Sequence, residues 1–268
     1  MTPEQLRDRY DARLRPWVEP DPAPGVVFER FGDLVRVTGR RQGFVETGPD
    51  VGLEGAALDA AIALHREHFA ARGEELEWKT RAHDRPADLV DRLLAAGFEP
   101  EEPETVLVGV AAEMTDAGSV PAEVRIRRTE DPLDFARIAA MESAVWGEDW
   151  TWLGDDLARE VAHDPEHFVV FLAEAHGEVV SAAWLAGKPG TGFAGLWGGS
   201  TLPAWRGRGI YRALVATRAR AALERGVEYL QVDASEDSRP ILERLGFVAV
   251  TTTTPYVWRP SAPTPAGA

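Results

Sequence analysis

The stretch Gly198-Gly199-Ser200-Thr201-Leu202-Pro203-Ala204-Trp205-Arg206-Gly207-Arg208-Gly209-Ile210-Tyr211 carries the densest chemical signal in the chain. It leaves an apolar run, Phe193 to Thr201, that reads as a strand. It turns at Pro203 and enters, through alternating glycines, a helix predicted over 207–225. Such a junction suits an anion. The first N–H groups of a helix have no partner inside it, and the helix dipole adds partial positive charge there. Glycine lets a ligand approach the backbone closely, and Arg206 and Arg208 add formal charge. The spacing does not give GxxxxGK[ST] and offers no lysine, which excludes a Walker loop. A third glycine for GxGxxG would fall on Arg212, so the dinucleotide fingerprint fails as well. A glycine-rich turn before an amphipathic helix is the plainer alternative.

Outward from this junction, the second half opens with a strand, Val124 to Arg128, and a helix entered through Pro132 that runs to about Val145. A second helix follows near Asp155 to Ala162, then two strands, His167 to Ala175 and Glu178 to Gly187, around the turn His176-Gly177. Beyond the glycine junction come a strand (Tyr229 to Ala234), a helix (Asp237 to Leu245), and Gly246-Phe247 opening a closing strand through Val257. The first half repeats this order. Residues 26–38 read as a hairpin around Gly32-Asp33, followed by the strand Gly43 to Thr47 and a helix over 54–72. The strand Glu75 to Thr80, the helix Pro86 to Ala96, Gly97-Phe98 and the strand Thr105 to Val110 complete it. A repeat of this length is too long for a solenoid unit and implies two related α/β modules. The expected division is a first module over 1–112, a linker over 113–123, a second module over 124–260, and a disordered tail over 261–268.

Composition narrows the function classes. The 268 residues are 44% hydrophobic and 27% charged, a globular balance. No apolar run reaches the roughly 18 residues of a membrane span, and the N-terminus lacks a signal peptide's apolar core. A cytoplasmic protein with no membrane association is expected. There are no cysteines, which removes disulfides, thiolate metal sites and cysteine nucleophiles. A net charge of -15 disfavours nucleic-acid binding. Basic charge is nonetheless concentrated: Arg206, Arg208, Arg212, Arg218, Arg220 and Arg225 read as a cationic patch for a small anionic ligand.

Arg206-Gly207-Arg208-Gly209-Ile210 followed by a helix resembles the R/Q-x-x-G-x-G/A pyrophosphate loop of the GNAT acyltransferases, and the element order over 124–258 resembles their fold. The first half resembles that fold without its cofactor loop, so the whole looks like a tandem GNAT protein with a degenerate N-terminal module. The resemblance implies an α/β fold class: two GNAT-like modules, each a mixed, mostly antiparallel sheet flanked by helices. It implies acetyl-CoA as acyl donor. The backbones of Gly199, Ser200 and Thr201 would meet the pantetheine arm, and Arg206, Gly207, Arg208, Gly209, Ile210 and Tyr211 would form the pyrophosphate site. Two positions depart from the family pattern. Its last small loop residue is Tyr211 here, and its usual Asn and proton-donating Tyr are matched by Ser235 and Leu242.

Amine acylation needs a proton acceptor. Asp233, near the carboxyl end of its strand, is one candidate, with an arginine or loop partner as its structural alternative. Glu142, facing either cleft or solvent, is a second. Ser235 would bond the pantetheine arm or protonate the leaving thiolate, or else cap a helix. Tyr211 would donate a proton or else pack on the loop, and Tyr256 reads as structural. The pairs His65/His68 and His163/His167 read as solvated surface, and no metal site is expected. Trp146, Trp150 and Trp152, interspersed with Glu148, Asp149, Asp155 and Asp156, would line a pocket for a cationic amine, or simply pack. The expected function is an N-acyltransferase acting on a small-molecule primary amine by direct attack, as a monomer or homodimer. The alternative is a non-catalytic CoA-binding sensor or interaction module.

Overall fold

A computed structural model describes residues 1–260; the segment read as a disordered tail, 261–268, lies outside the described residues. The chain divides into two compact α/β units: Met1–Val106 with the chain from Val250 onward, and Leu107–Ala249. This differs from the division expected from the sequence. The stretch 107–123 groups with the second unit, and the final strand from Val250 groups with the first. Local bonding explains both shifts. Met114 and Ala111 are buried in the second unit's core, whereas Thr253 to Trp258 pair with Arg81 to Leu76 of the first unit.

The first unit begins with helix α1 (Pro3–Arg9), started by a capping box in which Thr2 and Gln5 bond each other's backbone N–H. It continues through one π-helical turn, Tyr10–Leu14. Strands β1 (Val27–Phe31) and β2 (Leu34–Thr38) form the expected hairpin, and β3 (Gly43–Thr47) extends it antiparallel. Helix α2 (Gly55–Arg72) crosses to β4 (Leu76–Arg81), which pairs with β3 in parallel. Then come α3 (Leu89–Ala95), the two-residue β5 (Glu99–Pro100) and β6 (Glu104–Val110). The apolar stripe of α2 (Leu58, Ile62, Phe69) packs with Leu76 and Trp78 of β4. Each such fully buried side chain contributes about 1.5–3 kcal/mol.

His65 belongs to that same stripe, three residues from Ile62 and four from Phe69, and is fully buried. Its ring meets Phe31 and Trp78 edge-on. The surface expectation for His65 is therefore wrong: the helical period turns it inward. Among the described residues neither ring nitrogen has a hydrogen-bond partner, and burial lowers its pKa to about 4.

The second unit runs β7 (Arg125–Thr129), α4 (Pro132–Trp146), α5 (Trp152–His163), β8 (Phe168–Ala175), β9 (Glu178–Lys188) and β10 (Phe193–Thr201). Helix α6 (Ile210–Leu223), β11 (Tyr229–Ala234) and α7 (Arg239–Arg244) follow, and the chain then enters β12 (Val248–Trp258), which from Val250 belongs to the first unit. Strands β7 to β10 are consecutive antiparallel neighbours, and β11 joins β10 in parallel. Helices α4 and α5 pack on one face through Phe135, Ile138, Leu153, Leu157 and Val170. Helix α6 covers the other through Ile210, Leu214 and Val215.

Candidate functional site

The two parallel strand pairs match in their first rungs and then diverge in behaviour. In the first unit Gly43–Val45 face Leu76–Trp78, and pairing resumes at a bridge between Asp50 and Arg85. Arg85 N–H donates to Pro49 O, and Val51 N–H to Arg85 O. Between the two patches the buried Arg15 guanidinium donates to Gly48 O (2.8 Å), Thr47 Oγ1 (3.3 Å) and Asp84 Oδ1 (2.6 Å). The gap is filled from within. In the second unit Phe193–Gly195 face Tyr229–Gln231. Beyond Gly195, β10 runs on to Thr201 paired with β9, and among the described residues no β11 partner is registered there.

The free stretch of β10 contains a bulge. Gly198 faces Ala183 and Ser200 faces Ala182, leaving Gly199 as the extra residue. The glycines here accommodate aromatic side chains of the protein itself. A Cβ at Gly195 would lie 2.7 Å from the Trp197 indole nitrogen, one at Gly198 would lie 2.5 Å from the Trp184 ring, and one at Gly199 would lie 2.7 Å from the Tyr211 ring. Tyr211 thus takes the space a side chain at Gly199 would fill, which reconciles a large residue with the loop pattern. Burial pushes its phenol up.

Below the bulge lies Arg218, fully buried on α6. It donates to Trp197 O (3.0 Å) and Leu214 O (3.1 Å), and has no carboxylate partner among the described residues. Desolvation lowers its pKa to about 10. Its role is to satisfy a carbonyl beside the bulge.

The loop after β10 leads into α6 without a side-chain cap, and Gly207 and Gly209 both have positive φ, 71° and 82°. Arg206, Gly207 and Arg208 are exposed, and a Cβ at Gly207 would meet open space. Gly209 is covered by Ser119 O, 2.5 Å from where its Cβ would stand. Ile210 is core. Arg206 Nε donates to Thr201 O at 3.0 Å, and the Arg208 guanidinium lies 4.9 Å from the Trp205 ring centre.

The arginine cluster is not one patch. Arg212 pairs with Asp116, Arg220 donates to Thr115 O, Arg225 donates to Glu166 O, and Arg218 points inward. Only Arg206 and Arg208 stay beside the loop; helical spacing distributes the others around α6. Arg212 and Arg220 strap the 115–116 segment to the helix.

On the α4 side of β10 sits Glu142, 2% exposed. Its Oε2 accepts from Trp146 Nε1 at 2.9 Å, while Oε1 is buried without a hydrogen-bond partner. Burial raises its pKa, and the nearby Ser200 and Trp146 side chains pull it partly back. Glu142 and Ser200 are thus brought together at the bulge. Asp233, on β11, accepts from Gln231 Nε2 at 2.7 Å. Ser235 lies past the end of β11; its hydroxyl is 3.3 Å from that of Ser238, and its carbonyl accepts from Arg239 N–H as α7 begins. Leu242 is fully buried in the core, as is Tyr256 nearly so. Among the described residues no group of three His, Asp or Glu is placed to hold a metal, and no helix is long and apolar enough to cross a membrane.

Residues 134–247 match the family model of the acetyltransferase (GNAT) family. Among solved structures, the chain is similar to a GCN5-related N-acetyltransferase from Kribbella flavida at 16% identity and TM-score 0.67, covering 97% of this chain and 94% of that one. A GCN5-related N-acetyltransferase from Sphaerobacter thermophilus matches at 17% identity and TM-score 0.60, covering 86% and 82%. A tandem GNAT protein from the clavulanic acid biosynthesis pathway matches at 14% identity and TM-score 0.60, covering 97% and 96%. These likenesses carry the fold along nearly the whole chain, consistent with two modules. The match to the acetyltransferase (GNAT) family is thus carried by residues 134–247.

Proposed function

We propose that the second unit is an acyl-CoA-dependent N-acyltransferase that moves an acetyl group from acetyl-CoA to the primary amine of a small molecule. The observation that carries this is the contrast between the two strand pairs. The one in the first unit is sealed by Arg15, while the one in the second opens beside an uncapped helix start and a buried carboxyl. The residues present fit the coenzyme. The free edge of β10 at Gly199 to Thr201 offers backbone groups for the pantetheine arm. The N–H groups entering α6 at Gly207 to Tyr211, with Arg206 and Arg208, suit a pyrophosphate.

Acetyl-CoA supplies the thioester whose acyl carbon the amine attacks. The chain's own task is to take the proton the amine must lose. We assign that role to Glu142 Oε1, directly or through one water. It is buried without a hydrogen-bond partner among the described residues, and burial raises its pKa above the ordinary carboxylate value, the direction a general base needs. Asp233 is the competing candidate, with one oxygen already engaged by Gln231. The departing thiolate takes its proton from Ser235 or from water.

A second reading, a CoA-binding sensor without turnover, is favoured by one observation. Leu242 stands fully buried where the family pattern has a proton-donating tyrosine. A thiol-release assay with acetyl-CoA and a panel of primary amines separates the two. Amine-dependent release of one thiol per acetylated product is expected. CoA binding without release on any amine would replace the enzyme reading by the sensor.

A further inference from the structure

The α4 side of β10 presents aromatic surface that the core leaves uncovered. Trp146 is 58% exposed and Trp197 50% exposed, unusual for a residue type that is mostly buried. Both rings are held in place. The Trp146 indole N–H is bonded to Glu142, and its ring stacks on Trp150 at 6.4 Å and 28°. Trp150 in turn lies 5.2 Å from Trp152. Trp197 is seated over Gly195, and its cross-strand partner Trp184 over Gly198. Trp184 packs with the residues of α4 and α5, so Trp197 shares that face.

Two of the carboxylates nearby are engaged within the protein, while Glu148 and Asp155 are exposed. Asp149 accepts from both the backbone and the hydroxyl of Thr151, and Asp156 pairs with Arg159. Next to the aromatic wall itself the site offers one buried carboxyl, Glu142, bonded to Trp146. That combination selects a ligand with one cationic nitrogen and one flat apolar body.

We infer that the acceptor is an arylalkyl primary amine, its ring against the exposed face of Trp146 and its nitrogen directed to Glu142. Trp146 is then the specificity-determining residue, and Trp197 extends the same wall. This rests on the acyl-transfer reading for the fate of the amine but not for its binding, so the two are tested separately. Binding is measured by calorimetry with CoA present, using 2-phenylethylamine, n-butylamine and spermidine as probes; transfer is measured by thiol release with the same amines.

The expected result is that 2-phenylethylamine binds about tenfold tighter than n-butylamine, the scale of one aromatic or cation–π contact, and tighter than spermidine. Trp146→Phe should retain that preference and Trp146→Leu should abolish it, with the KM for acetyl-CoA unchanged. Should Trp146→Leu fail to fold, Trp197→Leu makes the same test with a reduced loss. Equal binding of the three probes, or a preference that survives both leucine variants, overturns the inference. Thiol release that is equally fast on all three amines overturns it too while leaving acyl transfer standing. Selective binding without release on any amine supports the ligand class and contradicts the transferase.

Discussion

Replacing Glu142 by glutamine separates its chemistry from its packing. The side chain keeps its shape, and its amide oxygen still accepts from Trp146 Nε1. What is lost is an ionisable carboxyl that burial has pushed above its ordinary value of 4.5. Between the unfolded and the raised folded value, the folded protein holds more protons than the unfolded chain. Its stability therefore falls as pH rises through that window and stays low above it. Each unit of elevation costs about 1.4 kcal/mol above both values. In a domain of this size 1 kcal/mol moves the Tm by roughly 2–4 °C. Glu142→Gln should thus melt higher than wild type at pH 8, with the advantage vanishing toward pH 4. Removing a general base should at the same time lower kcat by about 10²–10⁴-fold. The assays are thermal melts across pH and thiol release at saturating acetyl-CoA. A variant less stable at every pH, or one turning over within about threefold of wild type, refutes the assignment.

Other outcomes follow from the same geometry. Asp233→Asn should keep turnover near wild type and leave CoA affinity unchanged; a collapse of kcat with folding intact, read beside its melting curve, would move the base to β11. Salt should weaken CoA binding, and Arg208→Ala should flatten that dependence, checked by calorimetry over a range of ionic strength. Arg208 is the cleaner choice because Arg206 also bonds Thr201 O. His65, buried neutral with a pKa near 4 against a usual 6.5, lends stability that is present above pH 6.5 and lost as pH falls toward 4, roughly 3 kcal/mol in all. His65→Phe should flatten that acid limb in chemical denaturation curves recorded between pH 4 and 7.

Much of the fold is local and was therefore legible. The hairpin β8–β9 is signalled by His176-Gly177, both of which take positive φ. Strand β10, the glycine entry to α6 and the repeated order of elements are written as period and punctuation. The helix itself starts at Ile210 rather than at 207, because Gly207 and Gly209 take left-handed conformations that a helix cannot contain. Features made by distant residues were not legible. Arg15 closes the first unit's strand pair against partners 33 and 69 positions away. The dispersal of the arginines and the inward turn of His65 follow from helical phase, which charge counting ignores. Gly198 and Gly199 read as room for a ligand, yet they face Trp184 and Tyr211. Glu142 was identified as a candidate, but only burial distinguishes it from a solvated helix carboxylate.

The central claim is that one strand pair is open to a coenzyme and the other is sealed. A calorimetric titration of the whole chain with CoA tests it most directly. One molecule bound per chain is predicted, with Arg15→Ala leaving that stoichiometry and affinity unchanged and Arg208→Glu weakening the binding. Two equivalent sites per chain, or binding that is lost with Arg15 and indifferent to Arg208, would contradict the account.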